Sequence, residues 1–180
     1  MNKVSLVECD NYKEVSSAIE RSLNLIGGLS KYIKEDDVVV ISLDLFQPAK
    51  PEKQLTTDPA VVRATVKLIK EITPNVFVAC LPDENKEGVT KKALLNSGIA
   101  KVLKETGVKP FNLETEGFSV EKIDDYRTLE KTDFSMVFKY ADAIINLPKL
   151  KTDPVTDLSL AVKNLSGLIH PGERLLAFKF

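Results

Sequence analysis

Four consecutive β-branched residues, Val38-Val39-Val40-Ile41, constrain the fold of this chain more than any other feature. Successive side chains of a β-strand point to opposite faces of the sheet, so a strand made only of apolar residues has to be covered on both faces. Ala143-Ile144-Ile145 repeats the pattern far along the chain. Such strands are typical of parallel sheets that lie between two layers of helices.

Apolar residues between these strands recur with helical spacing, so strands and helices alternate along the chain. The periodicity predicts strands at 3–8, 38–41, 75–79, 109–113, 118–123 and 142–147, and helices at 11–25, 59–72, 89–96, 99–105 and 155–168. A short helix or strand is expected at 134–140, and proline-bounded loops at 44–55 and 148–154. We therefore expect one α/β domain over residues 1–180: a mainly parallel sheet flanked by helices on both faces, with Rossmann-like layering but no Gly-x-Gly-x-x-Gly dinucleotide fingerprint.

Composition excludes several classes of function. The 25 basic and 26 acidic residues nearly cancel, which argues against nucleic acid as a partner. We expect neither a signal peptide nor a membrane span, because no apolar stretch is long enough. Cys9 and Cys80 are too few to hold an iron–sulfur cluster, and a single histidine cannot build a histidine metal site. We therefore predict a cytoplasmic protein that carries no cofactor and no metal.

The two proline-bounded loops carry the candidate ligand-binding residues. In an open parallel sheet, ligands bind beyond the carboxyl ends of the strands, so the loop containing Asp44 and the loop containing Lys149 and Lys151 should border one crevice. Each loop ends in Thr-Asp-Pro, a favourable helix start whose free backbone amides attract anions. These starts add four residues to the candidate site: Thr57, Asp58, Thr152 and Asp153. The pattern predicts a small anionic ligand.

Each of these residues also has a structural explanation. Thr-Asp-Pro starts helices without any ligand, and loop lysines are usually solvated. Carboxylates from Asp44, Asp58 and Asp153 could instead hold Mg²⁺ or Ca²⁺ if they converged. We expect Asp58 and Asp153 to turn towards their own helix amides, which would leave the lysines dominant.

Several segments resemble one known family. Residues 145–152 read Ile-Asn-Leu-Pro-Lys-Leu-Lys-Thr, residues 161–167 read Ala-Val-Lys-Asn-Leu-Ser-Gly, and residues 56–64 read Thr-Thr-Asp-Pro-Ala-Val-Val-Arg-Ala. In this order they resemble the domain of unknown function 362 family. The resemblance implies a redox setting, because many members accompany or are fused to ferredoxin-like iron–sulfur modules. It also places Lys163 and Asn164 among the candidate ligand-binding residues.

The chain departs from the family pattern at the candidate site. Members commonly have Lys-Pro-Asn where this chain has Ser42-Leu43-Asp44, and Thr-His where it has Thr57-Asp58 and Thr152-Asp153. Typical members also continue into a glycine-rich second half.

Three interpretations of function remain open from the sequence. The favoured one is an intracellular protein that binds a small anion at the two loops. The second is a redox-associated enzyme, or a subunit of one, that works with a separate iron–sulfur partner; its catalytic residues are unknown. The third is a structural or interaction subunit that lacks the family's second half and pairs through a sheet edge, either with itself or with a complementary chain.

Overall fold

The computed structural model describes residues 3–45, 47–80, 82, 87–113 and 117–178. Its α-helices are α1 (Val15–Leu25), α2 (Pro59–Lys70), α3 (Val89–Asn96), α4 (Ile99–Thr106), α5 (Val137–Tyr140), α6 (Ala161–Leu165) and α7 (Arg174–Ala177). Its strands are β1 (Val39–Leu43), β2 (Val76–Cys80), β3 (Lys109–Asn112), β4 (Phe118–Lys122), β5 (Lys131–Ser135), β6 (Ala143–Leu147), β7 (Lys151–Asp153) and β8 (Asp157–Ser159). Short 3₁₀ helices cover Leu29–Lys31, Pro51–Lys53 and Ser166–Leu168.

A four-stranded parallel sheet in the order β3-β2-β1-β6 organises the molecule. Val39 lies opposite Val76 on one side and Ala143 on the other, so the apolar runs that the sequence singled out are neighbours. β4 pairs with β5, and β7 with β8, as separate antiparallel hairpins. The expected α/β class with a mainly parallel sheet is confirmed.

The apolar character of β1 is explained by its central position, where all five of its residues are buried. Val39, Ile41 and Leu43 pack on one face in a core that includes residues of α2, α3 and α4. Val40 points to the opposite face, where it packs with Val137 of α5 and neighbouring apolar side chains. Short helical turns and the β4–β5 hairpin therefore cover the second face, in place of long helices.

The first Thr-Asp-Pro starts a helix, as expected. The Asp58 side chain accepts a hydrogen bond from the backbone N–H of Ala60 at 2.8 Å, and Pro59 occupies the first helical position. Val62, Val66 and Ile69 then fall on one buried face of α2 because they are spaced by about one and two helical turns. This cap fixes where α2 begins and how it meets the sheet.

Two expected elements are wrong, and the strands β5, β7 and β8 were not expected. Residues 3–8 form no strand, because Val4 and Leu6 are 93% and 96% exposed and have no sheet to cover them. The helix expected at 155–168 is replaced by β8, α6 and a 3₁₀ turn, and β7 forms inside the loop expected at 148–154. β5 was not predicted because its polar residues show no clear strand alternation.

A side chain explains the missing helix. The Asp153 carboxylate accepts hydrogen bonds from the backbone N–H groups of Val155 and Thr156, each at 3.0 Å, and so closes a turn. Asp157 then adopts the left-handed conformation with φ of 60°, and the chain pairs back on β7. The second Thr-Asp-Pro therefore starts a hairpin.

Within the described ranges, no helix has both the length and the apolar character needed to traverse a bilayer.

Removing the α2 cap tests this account of the fold. Asp58→Ala should lower the free energy of unfolding by about 1 kcal/mol, because one helix N–H loses its partner. The matched control is Glu14→Ala, since Glu14 occupies the same position at α1 without a capping side-chain bond, and we expect a change below about 0.5 kcal/mol. Urea unfolding measures both. Equal effects of the two substitutions would contradict the assignment.

Candidate functional site

The carboxyl ends of β1 and β6 lie side by side, with Leu43 opposite Leu147. The strand order reverses between them, because β2 and β3 extend the sheet on one side of β1 and β6 lies on the other. In open α/β sheets, such a reversal separates the loops and opens a crevice where ligands bind. The loops that leave β1 and β6 are the two proline-bounded loops of the sequence.

Asp44 joins these two loops. Its side chain is buried, with one carboxylate oxygen 2.5 Å from the Lys151 ammonium and the other accepting the backbone N–H of Lys149 at 3.1 Å. Both partners lie on the loop after β6. The expected convergence of the Asp44 loop with the 149–153 loop is therefore present, and a carboxylate is at its centre.

Thr57 makes a second connection at the same place. Its hydroxyl donates to the backbone carbonyl of Leu147 at 2.6 Å and accepts the backbone N–H of Asp44 at 3.0 Å. Its own backbone N–H donates to the Asp44 carbonyl at 2.8 Å. Thr57 is only 3% exposed, so its groups tie together the ends of β1, β6 and α2.

The two loop lysines have different environments. The Lys151 side chain is only 11% exposed, and its ammonium also donates to the carbonyl of Leu55 at 3.2 Å. The Lys149 ammonium instead lies 2.9 Å from the Tyr12 hydroxyl and 5.7 Å from the centre of that ring. Lys151 is thus the partner of a buried carboxylate, whereas Lys149 contacts a neutral side chain.

Asp153 forms a second ion pair, with the Lys163 ammonium at 3.2 Å. Burial raises the pKa of the Asp153 carboxyl group, but hydrogen bonds from the backbone of Thr156 and Val155 and from Lys163 outweigh it, and the pKa lies below its usual value. Asp153 therefore stays ionised and holds α6, which carries Lys163, against the hairpin.

The remaining candidates are divided between this region and other surfaces. Asn164 is buried and donates to the side-chain oxygen of Asn146 at 2.6 Å, and Asn146 in turn donates to the Ala161 carbonyl at 2.8 Å. Thr152 is exposed on β7, and Asp58 caps α2. Only one helix start therefore borders the crevice, since the second Thr-Asp-Pro begins the β7–β8 hairpin.

A cation site was the other possibility that the sequence left open. Across the part of the chain that the structure describes, no three His, Cys, Asp or Glu side chains are grouped so that they could hold a metal ion. Each of the three aspartates considered instead has its own partner: Lys151 for Asp44, the Ala60 amide for Asp58, and Lys163 for Asp153.

Sequence reasoning missed two contributors. Tyr12 lies before α1 and reaches Lys149 across 137 residues of sequence, so no local pattern could indicate it. Arg174 is 6% exposed and donates to the carbonyls of Gly167, Ile169 and Pro82, which ties the end of the chain to the loop after β2. A buried arginine has no sequence signature when its partners are backbone carbonyls.

Comparison with known proteins places the chain in a family. The sequence profile described as Domain of unknown function (DUF362) matches residues 39–178, which include β1, β6 and both loops. The chain belongs to the DUF362 family. The resemblance drawn from the lysine loop and from the α6 segment is thereby confirmed.

One curated relative of this chain, from Synechocystis sp., is a thylakoid-associated protein. It is 26% identical to this chain over 175 residues, which are 96% of the chain and 52% of the relative. The chain thus spans about half the length of that relative. No solved structure matches the chain.

Lys151 offers the sharpest test of the ion pair. Lys151→Met should cost roughly 3 kcal/mol of stability, because it leaves the Asp44 carboxylate buried without its cation. Lys149→Met is the matched control and should cost less than about 1 kcal/mol, since only a contact with the partly exposed Tyr12 is lost. Chemical denaturation measures both. A Lys151→Met protein as stable as the control would refute the role given to the pair.

The lowered pKa of Asp153 predicts a pH dependence. The carboxylate stabilises the fold fully above the pKa of an unfolded aspartate, about 3.9, and this contribution is lost as the pH falls through the lower folded-state pKa. Asp153→Asn should therefore cost about 1–2 kcal/mol near neutral pH, and the difference from the wild type should shrink only below about pH 4. Urea titrations across that range measure it. A difference that stays constant into strong acid would contradict the assignment.

Proposed function

We propose that this protein binds a small anionic ligand in the crevice between the loops after β1 and β6, and that the Lys149 ammonium pairs with the ligand. The observation that carries the proposal is the charge balance of the loops. Asp44 with Lys151, and Asp153 with Lys163, are paired and neutralise one another. Lys149 differs from these two lysines, because its side-chain contact among the described residues is the uncharged Tyr12.

The two lysines therefore have separate roles in this proposal. Lys151 holds the loops together through Asp44, which places the Lys149 backbone against the same carboxylate. Because Lys149 is half-buried, a ligand anion there would be less screened by water than on an open surface. A lysine ammonium is a compact charge and, unlike an arginine side chain, does not present its N–H donors in a fixed planar arrangement. It therefore suits either a phosphate or a carboxylate group.

A second basic surface lies close by and has to be distinguished from the first. Lys50 and Lys53 of the loop after β1 border a recess of about 510 Å³ together with Glu52 and Asn96. This recess has the size of a small-ligand site, but a carboxylate stands among its lysines. We therefore favour Lys149, and the recess supplies the control.

The other interpretations receive less support. Cys80 is buried in the core at the end of β2, and Cys9 is exposed on the segment before α1. A link to a separate iron–sulfur partner stays a prediction that rests on the family alone. The cytoplasmic location also stays a prediction, and it rests on the composition of the chain. Thylakoid association is a property of the relative, and we do not extend it to this chain.

A thermal-shift experiment with inorganic phosphate, citrate and acetate at matched ionic strength tests the proposal. An anion present at about 100 times its Kd should stabilise the protein by about 2.7 kcal/mol. Lys149→Ala should abolish the shift and leave the unliganded Tm almost unchanged. Lys53→Ala, the matched control in the recess, should keep the shift. Loss of the response in Lys53→Ala with retention in Lys149→Ala, or no response from the wild type to any of these anions, would reject the proposal.

A further inference from the structure

The two edges of the parallel sheet are built differently. An edge strand presents unpaired backbone N–H and C=O groups to any other strand, and proteins commonly protect such edges with lysine or proline. β3, at one edge, carries both in Lys109 and Pro110. β6, at the opposite edge, reads Ala-Ile-Ile-Asn-Leu and has neither. β3 therefore carries both kinds of protecting residue, whereas β6 carries neither.

β6 also has the composition of an internal strand. Its apolar residues resemble those of β1, but all five residues of β1 are buried and all five of β6 are only partly covered. The same apolar pattern is thus fully buried in β1, which has a strand on each side. It is only partly buried in β6, which lies at the edge of the sheet.

Exposed apolar side chains follow β6 along the chain, and α6, which carries two of them, packs against both β6 and β8. Within residues 150–165, six large apolar side chains are exposed by more than a third: Leu150, Val155, Leu158, Leu160, Val162 and Leu165. Leu158 of β8 is exposed beside the buried Ser159, so it lies on the outward face of the hairpin, and the exposed Leu160 follows directly after β8. Val162 and Leu165 are three residues apart and share a face of α6. A run of this kind is typical of a surface that another polypeptide covers.

We propose that a second copy of this chain covers this surface, with β6 pairing antiparallel to β6 of the partner about a two-fold axis. The β6 edge carries no charged residue, so the two-fold places no like charges opposite one another. Centred on Ile145, the pairing sets Ile145 against its own copy, Ile144 against Asn146, and Ala143 against Leu147. The protected β3 edges cannot add further strands, so the assembly closes as a dimer with a continuous eight-stranded sheet.

A second copy fits this surface better than an unrelated partner does. In a two-fold interface, the same patch serves both sides, so an uncharged strand flanked by apolar side chains complements itself. This inference is independent of the anion site.

Sedimentation velocity over a wide range of protein concentration tests the dimer. The buffer must contain a reductant, because the exposed Cys9 could cross-link two copies. We expect a reversible dimer, and Val162→Glu and Leu158→Lys should each raise its Kd by about tenfold or more, because a charge would be buried in the apolar interface. Val120→Glu is the matched control: Val120 is 66% exposed on β4, outside this surface, and its substitution should leave the Kd unchanged.

Hydrogen exchange separates strand pairing from a looser contact. The β6 amides should become more protected as the dimer forms, and Val162→Glu should remove that gain while circular dichroism shows an intact fold. A monomer at the highest concentration would overturn the proposal, and so would a dimer that Val162→Glu leaves intact or one with unprotected β6 amides. The first result would assign the surface to a different polypeptide.

Discussion

The pairing of a buried carboxylate with a buried ammonium determines the architecture around the crevice. Removing either charge alone is costly, because the other would remain in a poorly solvated place without compensation. Asp44 meets this requirement with two groups from the loop after β6, the Lys151 ammonium and the Lys149 backbone. The start of the β7–β8 hairpin and the position of the Lys149 backbone depend on that contact, while Thr57 ties together the ends of β1 and β6.

The contrast between the two Thr-Asp-Pro tripeptides shows how far local sequence determines structure here. After Pro59 the chain continues with helical spacing of apolar residues, and the Asp58 side chain caps the helix. After Pro154 it continues as Val-Thr-Asp-Leu-Ser, whose alternation suits a strand, and the same aspartate chemistry closes a turn. The alternation was a usable signal, but it is only a few residues long and was outweighed by the strength of the helix start.

The parallel sheet could be predicted because short runs of neighbouring residues indicate its strands. A strand that is apolar on both faces requires cover on both faces, and the two such runs turned out to be neighbours. The convergence of the two loops followed from that topology. The different environments of Lys149 and Lys151 could not be predicted, because they depend on Tyr12 and Asp44, each more than 100 residues away in sequence. The sequence offers two similar lysines, and only the folded chain distinguishes their charges.

The contact between Lys149 and Tyr12 gives the crevice an optical property. The chain contains four tyrosines and no tryptophan, so its intrinsic ultraviolet emission comes from a few phenol rings, and one of them touches the ammonium that we assign to the ligand. A molecule that takes over this ammonium removes a hydrogen bond from the Tyr12 hydroxyl and a cation from the vicinity of its ring. The tyrosine spectrum of the unlabelled protein is therefore coupled to the state of the crevice, and Tyr12→Phe identifies which ring is responsible.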